Sequence, residues 1–231
     1  MRSGEIKDNY ERFLESVNNV CVRIGRSADD IKVVAVSKTF PCSDIEILYE
    51  LGHRDFGENK VQELRYKKDV LKSLDIKWHL IGHLQTNKVK HVIDFVSLVH
   101  SVDRKNLVDE IKKRADAVAR NIKVLVQVNT SGELSKSGVN PENTREFCSQ
   151  IAETQNIELC GLMTIAKLDG DKNEIRKNFS DLKTLFDSIK SNQPEMEILS
   201  MGMTSDYEIA IEEGSTMIRA GSAIFGNRNY N

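Results

Sequence analysis

The chain has 231 residues, of which 39% are hydrophobic and 29% charged, and it carries a net charge of -2. That balance describes a soluble globular protein and gives no electrostatic case for a nucleic-acid or anionic-membrane partner. No uninterrupted apolar run is long enough to cross a bilayer, and Met1 to Glu5 lead into charged residues, so a cytoplasmic protein with no membrane contact is expected.

The four cysteines, Cys21, Cys42, Cys148 and Cys160, lie far apart without a CxxC pair. They suggest neither a zinc knuckle nor a disulfide framework. The 13 glycines and 3 prolines are too scattered to mark a linker, so one domain over residues 1–231 is expected.

In chain order, Ile6, Tyr10, Phe13, Leu14, Val17, Val20 and Ile24 recur at helical spacing, and Gly25 stops the pattern. The apolar run Val33 to Val36 reads as a strand buried on both faces, which leaves Ser37 and Lys38 where the strand leaves the core. A lysine there is either a solvated strand end or a reactive amine. Ser43 or Asp44 can cap a helix carrying Ile45, Ile47, Leu48 and Leu51, which ends at Gly52. A strand near Arg54 to Gly57, a helix near Lys60 to Leu74, a strand near Lys77 to Ile81, a short helix from Asn87 and a strand from Phe95 to Val99 follow. Asp103 caps a long helix to Arg120, and Lys123 to Val128 is a further strand. Helices near Pro141 to Thr154 and Glu174 to Lys190 flank a strand at Glu158 to Met163, and short strands fit Glu197 to Ser200 and Thr216 to Arg219.

Eight strands, most followed by a helix, predict an α/β chain folded as a single (β/α)8 TIM barrel with an extra N-terminal helix. An open doubly wound sheet is the alternative, although it normally uses fewer strands. In a barrel, active groups gather at the C-terminal strand ends, and Lys38, Asn59, His83, Asn129, Met163, Thr164 and Arg219 all fall there. Alternation puts Lys38 on the face of Val34 and Val36, Arg219 on that of Met217, and Asn129 on that of Gln127 and Leu125, so Val34 and Val36 should fill the interior.

The segment SMGMTSD, Ser200 to Asp206, has a glycine for close approach and hydroxyls at Ser200, Thr204 and Ser205. Ser205 and Glu208 have the spacing of a capping box, so the segment either caps a helix or holds an anion. Ala220, Gly221 and Ser222 form a second glycine loop one unit later. His79 and His83 lack the glutamate of a zinc helix motif, and His53, His91 and His100 read as surface or element-end residues.

Together VVAVSKTFP, FGENKVQE, WHLIGHLQTNK, VQVNTSGELSKSGV, GLMTIA and LSMGMTSDYEIAIEEGSTMIRAGSAIFG, spread over residues 33 to 226, resemble the pyridoxal 5′-phosphate (PLP) homeostasis protein family, whose barrel is the fold-type III PLP-binding, alanine-racemase N-terminal-like one. The resemblance implies PLP as cofactor, held as a Schiff base on Lys38, and a role in vitamin B6 and amino-acid homeostasis without substantial turnover. It implies a binding set of Lys38, Asn59, Met163, Ser200, Met203, Thr204, Arg219, Gly221 and Ser222, with phosphate at Ser200, Thr204, Gly221 and Ser222 and Arg219 near the pyridine nitrogen. Lys136 matches a lysine implicated in PLP handling, or is a solvated loop residue. PLP-dependent apo-enzymes would be acceptors, and a monomer suffices.

Chemistry is consistent with these roles. A Schiff base forms from a neutral amine, and an arginine beside the ring does not give up a proton, so the pyridine nitrogen stays unprotonated and the cofactor is a weaker electron sink. The competing function is an amino-acid racemase; such barrels bring a second domain, and here the sequence stops at Asn231 directly after the eighth unit. A lysine aldolase would need acid and base residues on neighbouring strand ends, which the sequence does not offer.

Overall fold

A computed structural model describes residues 2–133, 136–167 and 170–227. Its frame is a ring of eight parallel strands: β1 (Lys32–Val36), β2 (Asp55–Glu58), β3 (Lys77–Leu80), β4 (Leu98–Val102), β5 (Ile122–Gln127), β6 (Ile157–Met163), β7 (Ile198–Met203) and β8 (Met217–Ala220). Each pairs with the next, and β8 closes on β1 with Val34 opposite Arg219. The expected (β/α)8 barrel is the observed one.

The helices are α1 (Arg2–Arg23), α2 (Cys42–Glu50), α3 (Val61–Val70), α4 (Lys105–Val118), α5 (Pro141–Ala152), α6 (Lys172–Lys190), α7 (Tyr207–Glu212) and α8 (Ser222–Phe225). After β3 the connection is a 3-10 turn, Thr86–His91, in place of an α-helix. The extra helix α1 buries Ile6, Phe13, Val17, Val20 and Cys21 against α8, α2 and α7, across the seam where β8 meets β1. Among the described residues, no helix is long and apolar enough to cross a membrane.

Strand alternation divides the apolar residues into two groups. Val34, Leu98, Leu125, Cys160, Met163 and Met217 meet inside the barrel. Ala35, Phe56, Trp78, Leu80, Val99, Val124, Leu199 and Ile218 face outward into the helical layer. The expected parity holds at Val34, Leu125 and Met217. It slips in β6, where the register jumps between Leu159 and Gly161. Gly161 has φ +155, and a Cβ there would lie 1.8 Å from the Ile198 carbonyl oxygen. Only glycine admits this contact, and the resulting bulge turns both Cys160 and Met163 inward.

Three local expectations are corrected. Strand β4 begins at Leu98, because Phe95 and Val96 close a turn onto the Val92 carbonyl and bury side chains without joining the ladder. Helices α2 and α4 start at N-caps Pro41 and Arg104 with no side-chain cap, so neither Ser43, Asp44 nor Asp103 serves; Asp44 instead pairs with Arg2 at 2.6 Å. The Ser205–Glu208 capping box does not form, since the N-cap of α7 is Asp206, whose carboxylate accepts the Met203 N–H at 2.5 Å. A reciprocal box does open α6, between Asp171 and Glu174.

Candidate functional site

A cavity of about 490 Å³ opens at the C-terminal rim of the barrel. Its lining brings together seven of the residues singled out from the sequence: Lys38, Asn59, Met203, Thr204, Arg219, Gly221 and Ser222. Val36, Ile81, Ile165, Gly82 and Ser205 complete it. Gly82 was not anticipated; a Cβ there would meet the Asn59 carbonyl oxygen at 2.2 Å, so it lets the loops after β2 and β3 pack backbone to backbone.

Lys38 lies two residues beyond the end of β1, in a clamped turn. The Ser37 N–H donates to the Gly57 carbonyl at 3.1 Å, and the Ser37 hydroxyl donates to Glu58 Oε1 at 2.6 Å. Lys67 Nζ, buried under the turn, donates to the Ser37 carbonyl at 2.7 Å, to Glu58 Oε1 at 2.7 Å and to Glu63 Oε1 at 2.8 Å. On the far side of Lys38, the Thr39 N–H donates to Glu63 at 2.6 Å while Thr39 itself adopts φ 70. A β-branched residue in the left-handed region is strained, and strain of this kind persists where the surroundings over-determine the backbone. Burial pushes the Glu58 carboxyl above its usual range, against the lowering pull of Lys67 and Ser37. Among the described residues, Glu58 Oε2 is a buried oxygen with no hydrogen-bond partner.

Arg219 rises from β8 into the cavity floor. Its Nη1–H donates to Ser200 Oγ at 2.6 Å and its Nη2–H to the Thr164 carbonyl at 2.9 Å, and Thr164 Oγ1 in turn donates to the Val128 carbonyl at 2.8 Å. Burial brings the guanidinium down to about 10, with Asp206 opposing, so it is still cationic at neutral pH. The loops after β7 and β8 are tied where the Gly221 N–H donates to Thr204 Oγ1 at 3.2 Å.

The remaining expected site residues lie elsewhere. Met163 packs in the barrel interior, and Ser200 is wholly buried beneath the floor with its hydroxyl engaged by Arg219 and His100. Lys136 lines an adjoining cavity of about 240 Å³ that shares Ile81, Gly82 and Ile165 with the first. Its Nζ pairs with Glu133 at 2.6 Å and donates to the Ala166 carbonyl at 3.1 Å.

The histidines need correction. His91 does close a 3-10 turn, but His53 is buried against the Tyr10 hydroxyl at 3.0 Å, and His100 is wholly buried on β4. The β4 offset hid it: a strand from Leu98 carries His100 on the inward face of Leu98. His79 lies beside it inside the barrel, away from His83, and among the described residues no group of His, Cys, Asp or Glu is arranged to hold a metal ion.

The model of the alanine racemase N-terminal domain family matches residues 14–229. The pyridoxal phosphate homeostasis protein of Aquifex aeolicus is 43% identical over 226 residues, covering 96% of this chain and 98% of that protein. The protein of the same description from Escherichia coli is 35% identical over 231 residues, 98% of each. PipY of Synechococcus elongatus, solved with PLP bound, superposes with a TM-score of 0.79 at 35% identity, covering 85% of this chain and 93% of PipY. An alanine racemase from Clostridium difficile superposes at 0.80 with 16% identity, covering 97% of this chain and 57% of the racemase, which is a likeness of fold.

Proposed function

The chain belongs to the pyridoxal phosphate homeostasis protein family, and from that premise we propose that the rim cavity binds PLP and that the protein serves intracellular vitamin B6 and amino-acid homeostasis as a carrier or regulator. The observation that carries the reading is the chemistry of the lining. Lys38 brings an amine and Arg219 a cationic guanidinium, Thr204, Ser205 and Ser222 bear hydroxyls, and no carboxylate lines the cavity among the described residues. Such a lining suits a ligand with an aldehyde, a basic ring nitrogen and a phosphate.

When bound, PLP supplies an electrophilic aldehyde and a ring able to draw electrons from an attached amine. Lys38 is the amine for the Schiff base. The clamp by Lys67, Glu58 and Glu63 fixes the backbone on both sides of it, which limits where its side chain starts. Thr204, Gly221 and Ser222 hold the phosphate, across the point where their loops are already joined. Ser200 serves from below by orienting Arg219. Arg219 would serve the ring nitrogen as a donor; a cationic guanidinium takes no proton, so it would leave that nitrogen unprotonated and the electron sink weak. Asn59 and Met203 shape the walls. This chemistry supports carrying PLP more than turning over amino acids, with PLP-dependent apo-enzymes as acceptors. The proposed carrier works as a monomer in the cytoplasm.

The purified protein should turn yellow on adding PLP, and borohydride reduction followed by peptide mapping should place the pyridoxyl group on Lys38. Label on a different lysine, or a colourless protein, would sink the assignment. Chiral chromatography of amino acids incubated with the holo-protein should give stoichiometric product at most; repeated turnover would reject the carrier.

A further inference from the structure

A polar ribbon crosses the barrel interior, and the cofactor reading leaves most of it without a role. Asp55 begins β2 at the closed rim, opposite the cavity, with its carboxylate 3.8 Å from Lys32 Nζ. Its Oδ1 is 3.0 Å from His79 Nε2; His79 Nδ1 is 3.0 Å from His100 Nε2; His100 Nδ1 is 3.2 Å from Ser200 Oγ. Ser200 Oγ then receives Arg219 Nη1–H. Strands β2, β3, β4, β7 and β8 each contribute one member, and only Asp55 is partly exposed.

Donor capacity assigns every proton. A guanidinium only donates and a carboxylate only accepts, so Ser200 Oγ accepts from Arg219 and His79 carries a proton on Nε2. Neutral His79 offers Nδ1 as an acceptor. His100 therefore holds its proton on Nε2, and its Nδ1 accepts the Ser200 hydroxyl. All donors and acceptors are matched, in one direction, from cation to anion. If His79 were charged, His100 would turn to its other tautomer and the Ser200 hydroxyl proton would be left without an acceptor in a wholly buried place, beside a second buried cation; both changes are costly. Burial, with the Arg219 charge adding to it, pushes His100 well below the usual histidine range, in keeping with a neutral ring. The other titratable groups facing the ribbon are Asp206, which acts on Arg219, His53, which lies near His79, and Lys32 and Lys77, which lie near Asp55.

We propose that Asp55, His79, His100 and Ser200 are positioning residues for Arg219, forming a one-way donor chain through which the closed rim of the barrel sets the guanidinium at the cavity floor. The chain is a property of the free protein, and only the last readout below rests on the PLP reading.

Proton–nitrogen correlation spectra of the isotope-labelled full chain at neutral pH should show both His79 and His100 as Nε2–H tautomers. A charged His100, or one protonated on Nδ1, would overturn the proposal. Asp55→Ala removes the terminal acceptor and should abolish the single-tautomer pattern at both rings and shift the Arg219 guanidinium signals, whereas Asp55→Asn, which keeps an acceptor oxygen, should restore them. Arg219 signals that stay put in Asp55→Ala while the rings change would refute the coupling. Should Asp55→Ala fail to fold, His79→Phe gives the same decision, since it removes the acceptor for His100 Nε2–H and should shift Arg219 likewise. In the holo-protein, the absorption band of bound PLP should move in Asp55→Ala and return in Asp55→Asn; an unmoved band counts against the proposal. Wild-type protein that takes up no PLP would reject the cofactor reading alone, and the tautomers would still decide the chain.

Discussion

Two buried polar systems flank the cavity, and they solve burial in opposite ways. Beneath Lys38 the solution is ionic and local: Lys67, Glu58 and Glu63 come from β2 and the first turns of α3, on the outward face of the sheet. Beneath Arg219 it is a string of neutral groups gathered from distant strands inside the barrel, charged only at its two ends. Helix α3 can place a lysine four residues after one carboxylate and nine after another, so a compact ion cluster is within reach there. The interior has no such helix: Asp206 acts on Arg219 only through space, and the hydrogen-bonded acceptors of the guanidinium are neutral. Charge is tolerated where a partner is adjacent and otherwise has to be relayed.

The largest expected effect is Lys67→Met, which leaves Glu58 buried with only the Ser37 hydroxyl and should cost about 3–5 kcal/mol at neutral pH. Glu58 already has a raised value, and losing Lys67 raises it further. A raised carboxyl contributes stability below its unfolded value and loses it as pH climbs through the folded one, so the deficit measured by urea unfolding should shrink toward mildly acidic pH. A deficit that does not vary with pH would mean that the cluster is not held by charge.

Next is Ser200→Ala, which leaves Arg219 Nη1 without its hydroxyl acceptor and His100 Nδ1 without its donor, at about 2–3 kcal/mol. Its penalty should be nearly flat between mildly acidic and neutral pH, because no carboxylate is stranded; a strong pH slope would erase the contrast between the two systems. The smallest is Thr39→Gly, which relieves the left-handed φ next to Lys38 and should stabilise by about 1 kcal/mol or less in thermal unfolding. A loss of stability would show that the Thr39 side chain, and not the backbone bond to Glu63, holds that turn.

Much of the frame could be read in advance because periodicity is a direct imprint of burial. The run Val33 to Val36 placed β1, and alternation correctly paired Lys38 with Val34 and Arg219 with Met217 on the inward face. Polar residues at strand ends marked the rim, since backbone leaving a buried strand has to meet solvent or ligand. What could not be read was polarity inside the barrel. His79, His100 and Ser200 break the apolar rule at interior positions, and their partners lie on other strands, so no local pattern announces them. Apolar Phe95 and Val96 then drew β4 three residues early. The bulge at Gly161 and the cap at Asp206 depend on backbone contacts with Ile198 and Met203, and such contacts leave no spacing in the sequence.

The pairing of β1 with β8 has a consequence in time. Lys38 follows the first strand to be made and Arg219 sits on the last, and they share a cavity only because Val34 lies in register with Arg219. A ligand that needs both residues finds half a site on a growing chain until the eighth strand has emerged and docked. Capture of such a ligand therefore reports that the eighth strand has closed the ring, and a chain truncated before β8 should release what the closed barrel retains.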